Sequence, residues 1–238
     1  MAVAAPLVVI LAGGAGTRIR HLLPDLPKPL AAVADQPFLE WVIRYLRGQG
    51  LQSIVVSAGY LGDRIKAFAV EHRVACVTEP VALGTAGGFL LALAASGHEE
   101  RNVLACNGDS LVLADLRPLM HALQDETVDA ALLGVRVSDA SRYGTLRVGA
   151  DGALLGFAEK RVGAGLVNGG VYLFRRAIVG RFPAKRPLSF EYDVFPSLIA
   201  SGARIATVPC DAPFLDIGTE ASLAQANAFI RDNMRWFA

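Results

Sequence analysis

The chain has 238 residues, 53% of them hydrophobic and 19% charged, with a formal net charge of +1. This composition excludes global disorder and provides for a sizeable core. The near-zero charge speaks against a nucleic-acid partner held by bulk electrostatics, and no apolar run reaches the roughly 18 residues of a membrane helix. The first cation is Arg18, so residues 1–12 lack a basic leader region and read as strand rather than signal peptide. Cys76, Cys106 and Cys210 are odd in number and far apart, which predicts buried reduced thiols in a cytoplasmic protein rather than a disulfide frame or metal knuckle.

Leu7 to Ala12 is short, apolar and β-branched, the pattern of a strand buried on both faces. It runs into Gly13-Gly14-Ala15-Gly16-Thr17-Arg18 and then Pro27-Lys28-Pro29. Glycines let the backbone approach a ligand and expose amides, and Arg18 and Lys28 add two cations, a combination that suits a polyphosphate. The loop lacks the Gly-Lys-Ser/Thr of a P-loop, and Ile19 stands where a dinucleotide fingerprint needs its third glycine.

A helix is predicted from Pro37 to about Arg47, with Leu39, Val42, Ile43 and Leu46 inward and Glu40, Arg44 and Arg47 on its polar face, ended by Gly48 and Gly50. Strands at 54–57 and 74–78 flank a helix at 62–70, and this alternation implies right-handed crossovers and a parallel sheet. Glu79 to Gly88 leads into an apolar helix at 89–95, so a strand end, a glycine turn and a helix N-terminus form a ligand-facing edge. The next strand, from Val103, delivers Asn107, Gly108 and Asp109 at its carboxyl end, where open α/β sheets bind ligands. Taken alone, Asn-Gly-Asp is simply a turn.

Asp115 to Leu123 reads as a helix capped by Asp115, and 128–137 as a long strand. Tyr143–Val148 and Ala153–Ala158 form a predicted hairpin about Asp151-Gly152, which makes the later sheet mixed. Strand 168–174 carries Asn168 and Gly169. Ser189 caps a helix reaching about Ala200, with Glu191 and Asp193 in its first turn. A strand at 204–208, then Phe214-Leu-Asp216-Ile-Gly-Thr219, precedes a closing helix to about Met234 with Thr219 as cap.

The pattern Gly-Gly-x-Gly-Thr-Arg followed by Pro-Lys-Pro, together with Glu79-Pro and Leu-Gly-Thr-Ala-Gly, Phe157-x-Glu159-Lys160, Asn168-x-Gly-x-Tyr-x-Phe and Phe-x-Asp216-Ile-Gly-Thr, resembles the sugar-nucleotide pyrophosphorylases, or nucleotidyltransferases, from Leu7 to Thr219. The resemblance implies one α/β domain over 1–238, a Rossmann-like, glycosyltransferase-A-like fold with a mostly parallel mixed sheet flanked by helices. It implies that a nucleoside triphosphate condenses with a sugar 1-phosphate, releasing pyrophosphate. Its nucleotide contacts fall on Leu11, Ala12, Gly13, Gly14, Gly16, Thr17, Arg18, Lys28, Glu79, Gly84, Thr85, Asn107 and Gly108. Gly144, Glu159, Lys160, Asn168 and Gly169 would line the sugar phosphate subsite. Asp109 and Asp216 would hold Mg²⁺, and Arg18, Lys28 and both aspartates would be catalytic. The partners are the two small-molecule substrates, with no nucleic acid and no membrane; homo-oligomerisation is left open.

Within the family the chain most resembles guanylyltransferases for heptose 1-phosphate and mannose 1-phosphate. Guanine offers two adjacent donors that match a carboxylate such as Glu79, whereas uracil and thymine offer one donor between two acceptors. The other reading has Glu79 cap the following turn and leaves base choice to the backbone at Leu83 and Gly84. Uridylyl, thymidylyl or cytidylyl transfer is the alternative within enzymes. A nucleotide- or sugar-phosphate-binding regulator is the alternative outside them, against which two preserved carboxylates speak.

Overall fold

The computed structural model describes residues 5–158 and 162–237. In chain order it contains β1 (Leu7–Ala12), β2 (Ala32–Val33), β3 (Gln36–Pro37), α1 (Phe38–Gly48), β4 (Ile54–Ala58), α2 (Gly62–Glu71), β5 (Ala75–Thr78), α3 (Thr85–Ser96), β6 (Asn102–Asn107) and β7 (Ser110–Val112). There follow α4 (Arg117–Ala122), β8 (Ala130–Val137), β9 (Thr145–Val148), β10 (Leu154–Ala158), β11 (Gly165–Arg175), α5 (Arg176–Val179), α6 (Phe195–Ala200), β12 (Ile205–Cys210), β13 (Phe214–Asp216) and α7 (Glu220–Asp232).

The main sheet runs β5-β4-β1-β6-β11-β8-β12, with the β9–β10 hairpin joined to β11 where Thr145 pairs Val167. β1 is parallel to β4 and β6, β4 to β5, and β8 to β12, while β11 runs antiparallel to β6 and β8. The result is the expected Rossmann-like α/β architecture with a mixed sheet. From β1 the chain moves outward to β4 and β5, then returns to β6 on the other side. The order therefore reverses at β1, and the carboxyl ends of β1, β4, β5 and β6 share one edge, the place where such sheets bind ligands.

Alternation along β1 fills both faces. Val8 and Ile10 join a core with Ile43 of α1, Ile65 of α2 and Ile230 of α7, while Leu7 and Val9 join another with Phe89 of α3 and Leu198 of α6. The second core holds an aromatic cluster in which Phe190 lies 5.4 Å from both Phe174 and Phe89.

Several boundaries differ from expectation for local reasons. Pro37, expected as the first helical residue, pairs with Ala32 in the β2–β3 hairpin and caps α1 instead. Glu40, expected on the polar face of α1, is only 6% exposed, and Arg44 Nε and His72 Nδ1 each lie 2.7 Å from its carboxylate. Paired in this way, a carboxylate tolerates burial. α3 starts at Thr85 rather than 89 because the Leu188 carbonyl accepts from the Ala86 and Gly87 amides, satisfying two orphan donors of its first turn. α4 starts at Arg117, since Asp115 folds back to accept that residue's amide at 2.9 Å rather than capping the helix. The strands expected at 128–137 and 168–174 occupy Ala130–Val137 and Gly165–Arg175. The hairpin turn at Asp151-Gly152 and the caps Ser189 and Thr219 form as expected, and Thr219 completes a capping box with Ser222. The three cysteines are free, Cys106 buried and the other two half-buried.

Candidate active site

The glycine-rich loop leaves β1 at the point where strand order reverses. It is held by Gly108 N donating to the Leu11 carbonyl at 2.9 Å and Tyr60 N to the Gly13 carbonyl at 3.1 Å. Gly16 adopts φ +57°, a left-handed conformation, and a Cβ there would come within 3.3 Å of Lys28 Cβ, so the loop arches directly over Lys28. Space is open around Gly14, Thr17 and Arg18 are exposed, and Ala12 is buried. The loop thus presents backbone and one guanidinium to solvent, with one ammonium beneath.

Asp109 and Asp216 meet although 107 positions separate them in sequence. β7 and β13 form a two-stranded ribbon in which Asp216 lies opposite Ser110, and Ile217 N donates to the Asp109 carbonyl at 3.1 Å. Lys28 Nζ forms an ion pair with the Asp109 carboxylate. Burial, and next the Asp109 charge, raise the pKa of Asp216 above the ordinary carboxylate value, against the pull of Lys28, the Gly218 amide (2.6 Å) and Arg18. Two hard oxygen donors whose mutual repulsion a cation would relieve fit Mg²⁺, which takes one or two carboxylates and fills its octahedron with water and substrate phosphates. Among the described residues no group of three or more His, Cys, Asp or Glu side chains forms an all-protein metal cage.

Glu79 follows β5, where its amide donates to the Ala58 carbonyl at 2.7 Å. Its carboxylate accepts from Leu83 N at 2.9 Å and Ser57 Oγ at 3.4 Å, and it fills space that a side chain at Gly13 or Gly88 would occupy. Burial raises its pKa, and the bonds from Leu83 and Ser57 offset part of that. It therefore makes the hydrogen bond expected of a turn cap, and it also stands beside the glycine-rich loop. Gly84, at φ +79°, packs so closely on Leu188 that a Cβ would lie 2.5 Å from its carbonyl oxygen. Thr85 Oγ1 accepts from Phe190 N at 3.0 Å. The Ala86 and Gly87 amides at the start of α3 both donate to the Leu188 carbonyl, within the edge that the sequence reads as ligand-facing.

A cavity of about 940 Å³ opens beside this edge. Arg18, Gly144, Asn168 and Asp216, all singled out from sequence, line it. Asn107 lies against Gly170, and Gly108 packs on β1. Gly169 is buried, with a hypothetical Cβ 3.1 Å from the Leu133 carbonyl, so it serves close packing rather than the cavity wall. Glu159 and Lys160 lie outside the described residues.

The wall also contains Phe157 of the Phe-x-Glu-Lys motif, and Arg142, Tyr143, Glu191 and Tyr192, to which sequence reasoning assigned no contact. Glu191 accepts from Tyr172 Oη at 2.7 Å, Asn168 Nδ2 at 3.4 Å and Ser189 Oγ at 3.0 Å. In the sequence it stood as a first-turn acid within the Ser-x-Glu-x-Asp segment that carries the likeness to the heptose- and mannose-phosphate guanylyltransferases. Asp193 accepts from Ser189 N at 2.8 Å, so both first-turn acids bond to the cap residue, and of the two only Glu191 also lines the cavity. Arg142 donates to Thr219 Oγ1 at 2.8 Å, and nothing but its position two residues before Gly144 marked it.

The nucleotidyl transferase family matches residues 7–233. The D-glycero-alpha-D-manno-heptose 1-phosphate guanylyltransferase of Aneurinibacillus thermoaerophilus is 32% identical over 219 residues, covering 88% of this chain and 92% of that protein. The protein of the same name from Campylobacter jejuni is 32% identical over 215 residues, covering 88% and 93%. The crystal structure of HddC from Yersinia pseudotuberculosis complexed with GMP-PN superposes with a TM-score of 0.82 at 31% identity, covering 93% of this chain and 97% of that one.

Proposed function

The chain belongs to the nucleotidyl transferase family, and from that footing we propose that it transfers the guanylyl group of GTP to a manno-configured heptose 1-phosphate, with mannose 1-phosphate as the second choice. The observation that carries this reading is that the β7–β13 ribbon brings Asp216, which lines the large cavity, near Asp109, which pairs with Lys28 beneath the glycine-rich loop. The names of the relatives above support the base and the sugar.

A phosphate oxygen of the sugar 1-phosphate attacks the α-phosphorus in line. The bond from that phosphorus to the bridging oxygen of the β-phosphate breaks, and pyrophosphate leaves with the electron pair. The nucleophile is already an anion, so no general base is required and positioning with charge neutralisation dominates. Arg18 holds the departing β- and γ-phosphates, and Lys28 stabilises the α-phosphate. Backbone from Leu11 to Thr17 cradles the chain of phosphates, while Asn107 and Gly108 complete the nucleotide contacts. Glu79 and the Leu83–Gly84 backbone that it fixes read the base. Glu159 and Asn168 meet sugar hydroxyls, Gly144 lets the backbone close over the ring, and Lys160 pairs the sugar phosphate. Asp109 and Asp216 would hold Mg²⁺, which supplies neutralisation of phosphate charge. The partners are then the two small molecules and the compartment the cytoplasm; among the described residues no helix is long and apolar enough to cross a membrane.

Competition among GTP, UTP, dTTP, CTP and ATP on the wild type and Glu79→Gln tests the base assignment. GTP should win on the wild type and lose ground on the variant. A wild-type preference for UTP or dTTP overturns the guanine reading. An unchanged preference for GTP in the variant transfers base reading to the backbone.

A further inference from the structure

We infer that Thr85, although it lies in the nucleotide-facing segment, is a positioning residue for the sugar phosphate pocket. The inference rests on the function proposed above. Residues 83–87 and 188–190 are laced together by four hydrogen bonds. Leu188 N donates to the Leu83 carbonyl at 2.7 Å, and Ala86 N and Gly87 N donate to the Leu188 carbonyl at 2.9 and 3.3 Å. Phe190 N donates to Thr85 Oγ1 at 3.0 Å, the one side-chain member of the set.

This lacing ends immediately before the pocket wall. Phe190 is fully buried, its ring stacked on Phe174 and edge-on to Phe89. The next two residues, Glu191 and Tyr192, line the cavity, and Tyr192 is 86% exposed. Phe190 is thus fixed from two sides, through its ring by the aromatic core and through its amide by Thr85. That double anchorage sets the direction in which the chain delivers Glu191. Glu191 in turn accepts from Asn168 and Tyr172 on β11, so an error in its placement propagates to Asn168 across the pocket. Valine matches threonine in shape and lacks the acceptor, so it would leave a buried amide unsatisfied.

The segment between β5 and α3 and the turn before α6 therefore move as one body. A nucleotide seated against the first meets a sugar pocket whose wall is already tied to it.

The test compares wild type, Thr85→Val and Thr85→Ser by steady-state kinetics with each substrate varied, and by amide hydrogen exchange. Thr85→Val should raise KM for the sugar 1-phosphate about five- to tenfold and leave KM for GTP within about twofold, while Thr85→Ser restores the wild-type value. In the absence of any substrate, the Phe190–Tyr192 amides should exchange faster in Thr85→Val and at the wild-type rate in Thr85→Ser, with α3 unchanged. A rise confined to KM for GTP, or unaltered exchange at Phe190 in Thr85→Val, overturns the assignment. Wild type that turns over neither substrate pair refutes the proposed function, and the exchange measurement still decides whether Thr85 anchors Phe190.

Discussion

The ammonium of Lys28 rests on the carboxylate of Asp109, a pair in which the lysine side chain is only 10% exposed and the aspartate 32%. The cation beneath the glycine-rich loop and the first proposed metal carboxylate are therefore one electrostatic unit, and neither can be removed without leaving the other short of a partner. Lys28→Met should lower kcat/KM for GTP far more than it alters KM for the sugar 1-phosphate. It should also lose about 1–3 kcal/mol of stability, and Asp109→Asn in the same chain should recover part of it. A double-mutant cycle by denaturant unfolding measures the coupling, and additive losses would show the pair to be energetically idle.

Asp109→Asn and Asp216→Asn should each cut turnover on the order of 10²- to 10³-fold by removing ligands for the charge that neutralises the reacting phosphates. Their stabilities should diverge. The raised pKa of Asp216 means that folding disfavours its ionised form, so the neutral asparagine should leave the melting temperature at pH 7 equal or higher. Asp109→Asn should lower it by stranding Lys28. Rates like wild type with Mg²⁺ in either variant contradict the metal assignment.

Glu79 supplies a pH dependence. Burial raises its pKa in the folded protein, so its contribution to stability is fully present below the unfolded carboxyl value and is lost as pH rises through the folded one. Glutamine mimics the protonated acid and keeps an acceptor for Leu83 N. Wild type should therefore match Glu79→Gln at acidic pH and fall below it toward neutrality. Melting temperatures from pH 4 to pH 7.5 decide this, and parallel curves would show that Glu79 ionises without cost.

Phe174 is fully buried within the aromatic cluster, stacked on Phe190 at 5.4 Å and on Phe195 at 5.8 Å. Phe174→Ala should cost about 3–5 kcal/mol, the transfer of the ring plus the cavity it leaves. Urea unfolding provides the measurement, and a loss below about 1 kcal/mol would mean that the cluster collapses to fill the gap.

The strands of the main sheet and most helices were legible because their apolar periods are unbroken, and Leu7–Ala12 reads as a two-sided strand and becomes one, whereas the short β2–β3 and β7–β13 pairs carry no such period. Function was legible where a local motif carries it, as in Gly13–Arg18 and Pro27–Pro29. What the sequence hid was long-range pairing. No spacing announces that Ser110 lies opposite Asp216, that Phe190 leans on Thr85, or that Arg142 reaches Thr219. The start of α3 was hidden for the same reason, since Gly87 and Gly88 look like loop until the Leu188 carbonyl satisfies the first turn. The burial of Glu40 on the polar face of α1 was hidden because its partner His72 comes from another helix end. Local propensity places elements, whereas partners far along the chain set their ends and their charges.

Pyrophosphate release by the wild type, measured across a grid of the five nucleoside triphosphates with heptose, mannose, glucose and galactose 1-phosphates in the presence of Mg²⁺, tests the central claim most directly. Release should be fastest with GTP and D-glycero-α-D-manno-heptose 1-phosphate, slower with GTP and mannose 1-phosphate, and near background without a sugar phosphate. Release no faster than background in every cell, or fastest with a nucleotide other than GTP, would contradict it.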